Sequence, residues 1–269
     1  MKRFVKTAIA ASMIFAFATQ TYAADPASTA PADIANMSPA QKAQIEEVVH
    51  QYLLRKPEVL VEALQILQKK QYQEAEQTVK KTQADANKFA EALFHSATDP
   101  MIGNPKSKIT VVEFFDYQCP HCVDMAPITA AIIKANPDVR IVFKEFPIRG
   151  PMSEQAARAA LAANKQGKYY DFSHALLTIN KPLTADIIFE VAKSQGLNVD
   201  QLKKDMNDSS VDQQLKANME LAQNLKLFGT PAFFIAKSDV DGNKAPINYV
   251  PGAMNQKQMQ TEIDKAAKS

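Results

Sequence analysis

The alternation of apolar and polar positions changes character three times along this chain. After a basic start (Met1-Lys2-Arg3-Phe4-Val5-Lys6), residues 7–18 are almost all small or apolar, and Thr21-Tyr22-Ala23 follows. A basic start, a short apolar core and a small-x-small site predict a secretory signal peptide over 1–23. Its core is too short to span a bilayer comfortably. Residues 24–37, rich in Ala, Pro, Ser and Asp, read as a flexible leader. Ser38-Pro39 then supplies an N-cap with proline in the first turn. Ile45, Val48, Val49, Tyr52 and Leu53 recur at helical spacing as far as Arg55. Pro57 interrupts this helix. From Glu58 the spacing resumes with Val59, Leu60, Leu64 and Leu67, then thins through Tyr72, Ala75, Val79, Ala86, Phe89 and Leu93.

Residues 68–88 are mostly Gln, Lys, Glu, Thr and Ala, strong helix formers with few apolar anchors. A helix this polar does not sit in a globular core, and the apolar face nearer its start has no other partner in the sequence. Residues 38–97 are therefore expected to form an α-helical oligomerisation stem. A helical hairpin folded back on the main domain is the alternative. Heptad register is poor, so no regular coiled coil is expected.

Asp99-Pro100 and Asn104-Pro105 around Gly103 mark a boundary. Lys108 to Asp116 then reads as a β-branched and aromatic strand, and a helix-like run from Met125 to Ile133 follows. Asn136-Pro137-Asp138 turns the chain into a second strand, Val139 to Phe146. Strand, helix, strand in this order predicts a βαβ unit with parallel strands. A helical region extends from Ser153 to about Leu227. Ala232 to Ala236 returns to strand character, Asp241-Gly242 signals a hairpin turn, Ile247 to Val250 pairs back, and a last helix covers Asn255 to about Ala267.

Composition narrows the function classes. In 269 residues, 46% apolar content supports a sizeable core. Three of the 31 basic residues (Lys2, Arg3, Lys6) lie in the expected signal peptide, and the rest nearly balance 29 acidic ones. No basic field remains for nucleic acid.

The chemistry concentrates in Phe114-Phe115-Asp116-Tyr117-Gln118-Cys119-Pro120-His121-Cys122, which holds both cysteines of the chain. A structural zinc needs four ligands. There is no third cysteine, and His50, His95, His121 and His174 show no paired spacing, so no metal site is expected. Copper handling by the reduced thiols lacks a Met-rich or His-rich cluster to support it. A structural disulfide between Cys119 and Cys122 closes too small a loop to gain much entropy. A redox-active pair remains. Cys119 is expected at a helix N-terminus, where unpaired N–H groups and the helix dipole favour the thiolate. His121 can add a donor or a positive charge, and Cys122, one turn in, is the resolving thiol.

Glu113-Phe114-Phe115, three residues, Cys119-Pro120-His121-Cys122 and the distant Gly229-Thr230-Pro231-Ala232-Phe233 together resemble the DsbA-like thiol–disulfide oxidoreductases, over about residues 99–268. The resemblance implies an α/β thioredoxin fold over 98–269 with an inserted helical domain at about 151–227. It implies that Pro231 is cis and packs beside the cysteines, and that Thr230 pairs through its backbone with a substrate strand, next to Pro120. It implies that Glu113 lies buried beneath the cysteines and assists proton transfer to Cys122, with Lys144 on the neighbouring strand as a weaker candidate to pair with it. Monomeric oxidases of the family carry Val before the cis-proline and lack a stem. Thr230 and residues 38–97 resemble instead the DsbC- and ScsC-type oligomeric members.

The sequence thus predicts a periplasmic thiol–disulfide oxidoreductase that forms or isomerises disulfides in exported proteins, without a cofactor. Its expected partners are cysteine-containing exported substrates and a membrane redox partner that resets the site. A homodimer is expected, with a trimer and association with the envelope as variants. A non-catalytic, chaperone-like or surface-associated binding protein retaining the fold is the competing class.

Overall fold

The computed structural model describes residues 37–241 and 246–269. The expected signal peptide, the leader up to residue 36 and Gly242 of the expected hairpin turn lie outside the described residues. The chain divides into two compact units, 1–66 and 67–269.

In the first unit, Pro39–Arg55 is helix α1, and α2 starts at Glu58. The Ser38 hydroxyl accepts the Gln41 N–H at 3.3 Å, and the Gln41 side chain accepts the Ser38 N–H at 2.9 Å. This is the reciprocal cap that the Ser-Pro start anticipates. No residue of α1 is buried. Val48 is 65% exposed and Leu64 58%, and Ile45, Val49, Tyr52 and Leu60 are also exposed.

The second unit begins within α2 (Glu58–Asp85), which runs on through a 3₁₀ turn (Ala86–Phe89) into a short α3 (Ala90–Phe94). The sheet contains β1 (Met101–Gly103), β2 (Ile109–Phe115), β3 (Val139–Glu145), β4 (Ala232–Lys237) and β5 (Asn248–Pro251), in the order β1-β3-β2-β4-β5. Helix α4 (Pro120–Ala135) joins β2 to β3, which run parallel as the βαβ reading requires. Strand β4 is antiparallel to β2, and β5 to β4. Between β3 and β4 come α5 (Pro151–Lys165), α6 (Tyr169–Thr178), α7 (Ala185–Ser194), α8 (Val199–Asp205) and α9 (Ser209–Asn224). Helix α10 (Gln256–Lys268) closes the chain.

Strand β1 falls within the stretch read from sequence as a boundary. It pairs antiparallel to the outer side of β3, Ile102 opposite Ile141. Gly103 ends it at φ +99, where a Cβ would stand 2.6 Å from the Val139 carbonyl oxygen. Only glycine fits there.

Every residue of β2 is buried because both sheet faces are covered. On one face Val111, Phe115, Ile141, Phe143, Phe233 and Ile235 pack with α4, α10 and the helices that follow β3. On the other, Val112, Phe114, Val142, Phe146, Phe234 and Tyr249 pack against Ala86, Ala90, Leu93, Phe94, Leu221 and Leu225. The expected stem boundary at 97 therefore includes core residues. From Thr82 to Phe94 the small side chains at positions 82, 86 and 90 let the backbone lie close to the sheet. Thr82 donates to the Leu225 carbonyl at 2.7 Å. Gln83 donates to the Ile247 carbonyl and accepts the Tyr249 N–H at 2.7 Å. What reads in sequence as a solvated helix is, over its last turns, a layer of the domain.

Candidate functional site

The turn between β2 and α4 is shaped by Asp116, which is buried. Its Oδ1 accepts the Gln118 N–H at 2.7 Å and the Ser153 hydroxyl at 2.7 Å; its Oδ2 accepts the Ile148 and Arg149 N–H groups at 2.8 and 2.9 Å. One carboxylate thus ties the approach to Cys119 to the loop after β3 and the first turn of α5. Sequence reasoning passed over this residue. The available signal was an acid between aromatics in a run otherwise apolar enough to be buried, just before the cysteines.

Cys119 is the N-cap of α4, with Pro120 at its first position. The Cys119 carbonyl accepts the Cys122 and Val123 N–H groups at 2.9 and 3.1 Å. Burial pushes the Cys119 thiol up, but the Thr230 side chain, the Cys122 N–H and thiol, and the His121 N–H favour the thiolate, and the balance lies below the ordinary cysteine value. The Thr230–Pro231 bond is cis, and the Cys119 thiol donates to the Thr230 carbonyl at 3.2 Å. Two segments 111 residues apart are thereby brought into contact. The buried Thr230 hydroxyl makes no hydrogen bond in the thiol state, which leaves it free to donate to either sulfur as a thiolate and so to favour the charged form at Cys119 and Cys122. Pro120 and the His121 ring are exposed. His121 acts on Cys119 through its backbone N–H.

Cys122 is buried. Burial holds its thiol well above the usual range, and the neighbouring Glu113 and Cys119 charges add to that. Glu113, 4% exposed, lies on the same sheet face as Phe115 and beneath the helix that carries the cysteines. Burial pushes its carboxyl up to about 8, opposed by the Thr129 hydroxyl at 3.4 Å. Glu113 thus shares the cysteines' neighbourhood. Lys144 does not. In the parallel ladder Glu113 is opposite Phe143, which leaves Lys144 opposite Phe114 on the other face. There it forms a buried ion pair with Asp99 and donates to the Ala92 carbonyl at 2.6 Å. The expected Lys144–Glu113 pairing is corrected by strand parity.

A second acid, Glu145, was also missed. It ends β3, and its Oε1 accepts the Tyr169 hydroxyl at 2.7 Å and lies 2.9 Å from the Tyr117 hydroxyl. Its Oε2 is buried without a hydrogen-bond partner. Burial pushes Glu145 up to about 8, the two tyrosine hydroxyls oppose this, and the Asp116 charge adds to it.

Around the cysteines the surface mixes exposed apolar side chains with the polar Gln118, His121 and Asp124. Phe228, in the loop that carries Thr230, is 60% exposed, and Val123 and Ile148 are exposed too. A groove of about 340 Å³ beside α4 is lined by Pro120, Val123, Leu176, Ile179 and Leu183 among others. Among the described residues no cluster of His, Cys, Asp and Glu is placed to hold a metal ion, and no helix is long and apolar enough to cross a membrane.

This arrangement has known counterparts. Residues 41–74 match the "Copper resistance protein ScsC N-terminal domain" model. A thioredoxin-like oxidoreductase from Silicibacter pomeroyi superposes with a TM-score of 0.60 at 38% identity, covering 66% of this chain and 98% of that one. ScsC from Proteus mirabilis superposes with a TM-score of 0.59 at 28% identity, over 87% of this chain and 99% of its own. The probable disulfide bond formation protein D of Bacillus cereus is 27% identical over 173 residues, 58% of this chain and 80% of that protein. The chain also matches the Na(+)/H(+) antiporter NhaA 3 of Salinispora tropica, 27% identical over 139 residues, but spans only 21% of its length and uses 51% of this chain. The DSBA-like thioredoxin domain model matches residues 110–264, which take in Cys119, Cys122 and the cis-proline loop. With β3, β4, β5 and nearly all of β2, the helix-capping cysteine and that loop inside the match, the chain belongs to the DsbA-like thiol–disulfide oxidoreductase family.

Proposed function

We propose that this protein forms and isomerises disulfide bonds in exported proteins, in the periplasm, as an oligomer joined through its N-terminal helices. The observation that carries the redox part is Cys119 at the N-terminus of α4, with its thiol 3.2 Å from the Thr230 carbonyl. The helix N-terminus stabilises the Cys119 thiolate and makes it a good leaving group, while the contact with the Thr230 carbonyl sets the cis-proline loop against the sulfur.

In the oxidising direction a client thiolate attacks Sγ of Cys119 in the 119–122 disulfide. The Cys119–Cys122 bond breaks, a client–Cys119 bond forms, and the Cys122 thiolate takes a proton from the Glu113 carboxyl. A second client thiolate then displaces Cys119, leaving the client oxidised and the enzyme reduced by two electrons. In the isomerising direction reduced Cys119 attacks a client disulfide and is later expelled by another client thiolate. Thr230 and Pro231 hold the client backbone, Pro120 borders it, and Phe228, Val123 and Ile148 offer it apolar contact. A membrane redox partner of opposite poise resets the pair.

Oligomerisation is supported by the ScsC-like match and by the exposed apolar face of Ile45, Val48, Val49, Tyr52, Leu60 and Leu64, which lacks a cover within its own unit. A homodimer is the simplest assembly and a trimer the alternative. Periplasmic location is supported by the basic-apolar-small pattern of residues 1–23.

The test compares the full mature chain with Cys119→Ala in two assays, oxidation of a reduced two-cysteine peptide and reactivation of a scrambled disulfide protein. Activity in both, lost in the variant, supports the reading. Equal behaviour of the two proteins would leave a binding protein that retains the fold. Light scattering of a chain lacking residues 37–66 is expected to show a monomer, and an unchanged oligomer overturns the assignment of these helices.

A further inference from the structure

The two buried acids on the cysteine-bearing face are connected. Ser173, on α6, lies 2.9 Å from the Tyr117 hydroxyl, and Tyr117 lies 2.9 Å from Glu145 Oε1. Tyr117 has one proton to give. When it donates to Glu145, Ser173 donates to Tyr117. Ser173 also lines a cavity of about 10 Å³, roughly room for a single water, whose wall includes Glu113, Thr129, Tyr170 and His174. One water in that cavity would join Glu113 to Ser173 and complete a row of exchangeable protons through Tyr117 to Glu145. We propose that Glu145 is a second proton store for the cysteine pair, reached from Glu113 along this row.

The proposal rests on the reading of Glu113 as the group that exchanges a proton with Cys122. When the enzyme is reoxidised, the Cys122 thiol gives its proton to the Glu113 carboxylate. The Cys122 thiolate then displaces the partner's sulfur from Cys119, forming the 119–122 disulfide and releasing a partner thiolate. The Glu113 carboxyl proton passes to the water, the water's to Ser173, Ser173's to Tyr117, and Tyr117's to the Glu145 carboxylate. Glu113 is again ionised and Glu145 neutral. During client oxidation the row runs in reverse. Glu145 never meets the client; it acts through Glu113 and is a positioning residue.

The surroundings suit this task. Facing Glu145 are Asp116 and Tyr117 from the turn after β2 and Tyr169 from α6; facing Glu113 are Cys122 from α4 and Tyr170 and His174 from α6. No lysine or arginine is among them, so nothing locks either carboxyl in the ionised form. Both sit close enough to neutrality to give and take protons, since burial pushes each up to about 8. The competing exit for the proton is His174, which lines the same cavity.

The experiment follows single-turnover reoxidation of the reduced full chain by oxidised glutathione between about pH 6 and pH 10, in wild type, Glu113→Gln, Glu145→Gln, Ser173→Ala and His174→Ala. Wild type is expected to show a rise spread over more than one titration, as two linked groups give. Glu145→Gln and Ser173→Ala are expected to narrow it to a single titration and to slow the step by about three- to tenfold near pH 7. The Cys119 thiolate absorbance, unchanged in both, reports an intact site; Ser173→Ala keeps the test open if Glu145→Gln fails to fold. If both folded variants keep the wild-type profile, or His174→Ala alone narrows it, the proposal is overturned. A wild-type profile in Glu113→Gln instead removes the Glu113 reading itself.

Discussion

The two faces of the sheet bury charge in opposite ways. On the face shared with the cysteines, Glu113 and Glu145 are buried with hydroxyls for company and no cation. On the other, Lys144 is buried with Asp99 and the Ala92 carbonyl. Burial pushes Asp99 up and Lys144 down, and their mutual attraction opposes both. A paired charge is a fastening: it holds the stretch before β1 and α3 to the centre of the sheet. An unpaired acid is poised to change its proton occupancy when something nearby, here a sulfur, changes charge. The sequence elements differ accordingly. The fastened face is covered by the end of α2, α3 and α9, while the titrating face is covered by the helix of the cysteines and by α5 and α6.

The largest break in this comparison comes from removing the cover of the fastened face. A chain lacking 37–66 is expected to fold, since that deletion leaves every named core residue in place. A chain lacking 37–96 loses Ala86, Ala90, Leu93 and Phe94 from the second core cluster and is expected not to fold cooperatively. Circular dichroism melts of the two deletions check this. Next is the fastening itself. Lys144→Ala leaves Asp99 buried without its cation and is expected to cost about 3–5 kcal/mol in chemical denaturation. The double change Lys144→Met with Asp99→Leu is expected to recover most of that loss.

The titrating face responds differently. Glu113 and Glu145 hold their protons more tightly folded than unfolded, so stability falls as pH rises from the ordinary carboxylate range through about 8. Glu113→Gln removes one share of that slope. Melts across pH are expected to flatten, and above about pH 8 the variant is expected to be more stable by about 2–4 kcal/mol, while reoxidation slows. Added stability with lost activity is the opposite outcome to Lys144→Ala. The smallest effect is expected from Thr230→Val, which deletes the hydroxyl that favours the thiolate at both cysteines. The Cys119 thiol should titrate higher, read by thiolate absorbance, and reaction with a client peptide should slow by less than about threefold.

Much of this was legible from residue order. The parallel βαβ unit followed from two strand-like runs flanking a helical one, and the place of Cys119 at a helix start followed from the strand-like run before it and the helix-like run after it. Glu113 under the cysteines and the cis bond before Pro231 came with the family resemblance. Other features depend on information the local pattern lacks. Strand β1 has three residues, too few to show alternation. The burial of residues 82–94 is hidden because Thr82, Ala86 and Ala90 are small or polar and read as surface. Lys144 could have been placed, since parallel pairing in register puts it one position from the Glu113 partner and so on the opposite face. Asp116 and Glu145 act through hydrogen bonds to segments distant in sequence, which no spacing reveals.

Gln83 has a consequence of a different kind. Its carboxamide donates to the Ile247 carbonyl and accepts the Tyr249 N–H, as the peptide group of a sixth strand would. Strand β5 is the last in the sheet, and a last strand with free backbone groups is a template on which another chain can grow. An exposed edge of this kind invites pairing with any extended chain that reaches it. One side chain, delivered by a helix that looks from its composition like mere spacer, occupies two of the backbone groups on which such a chain would grow.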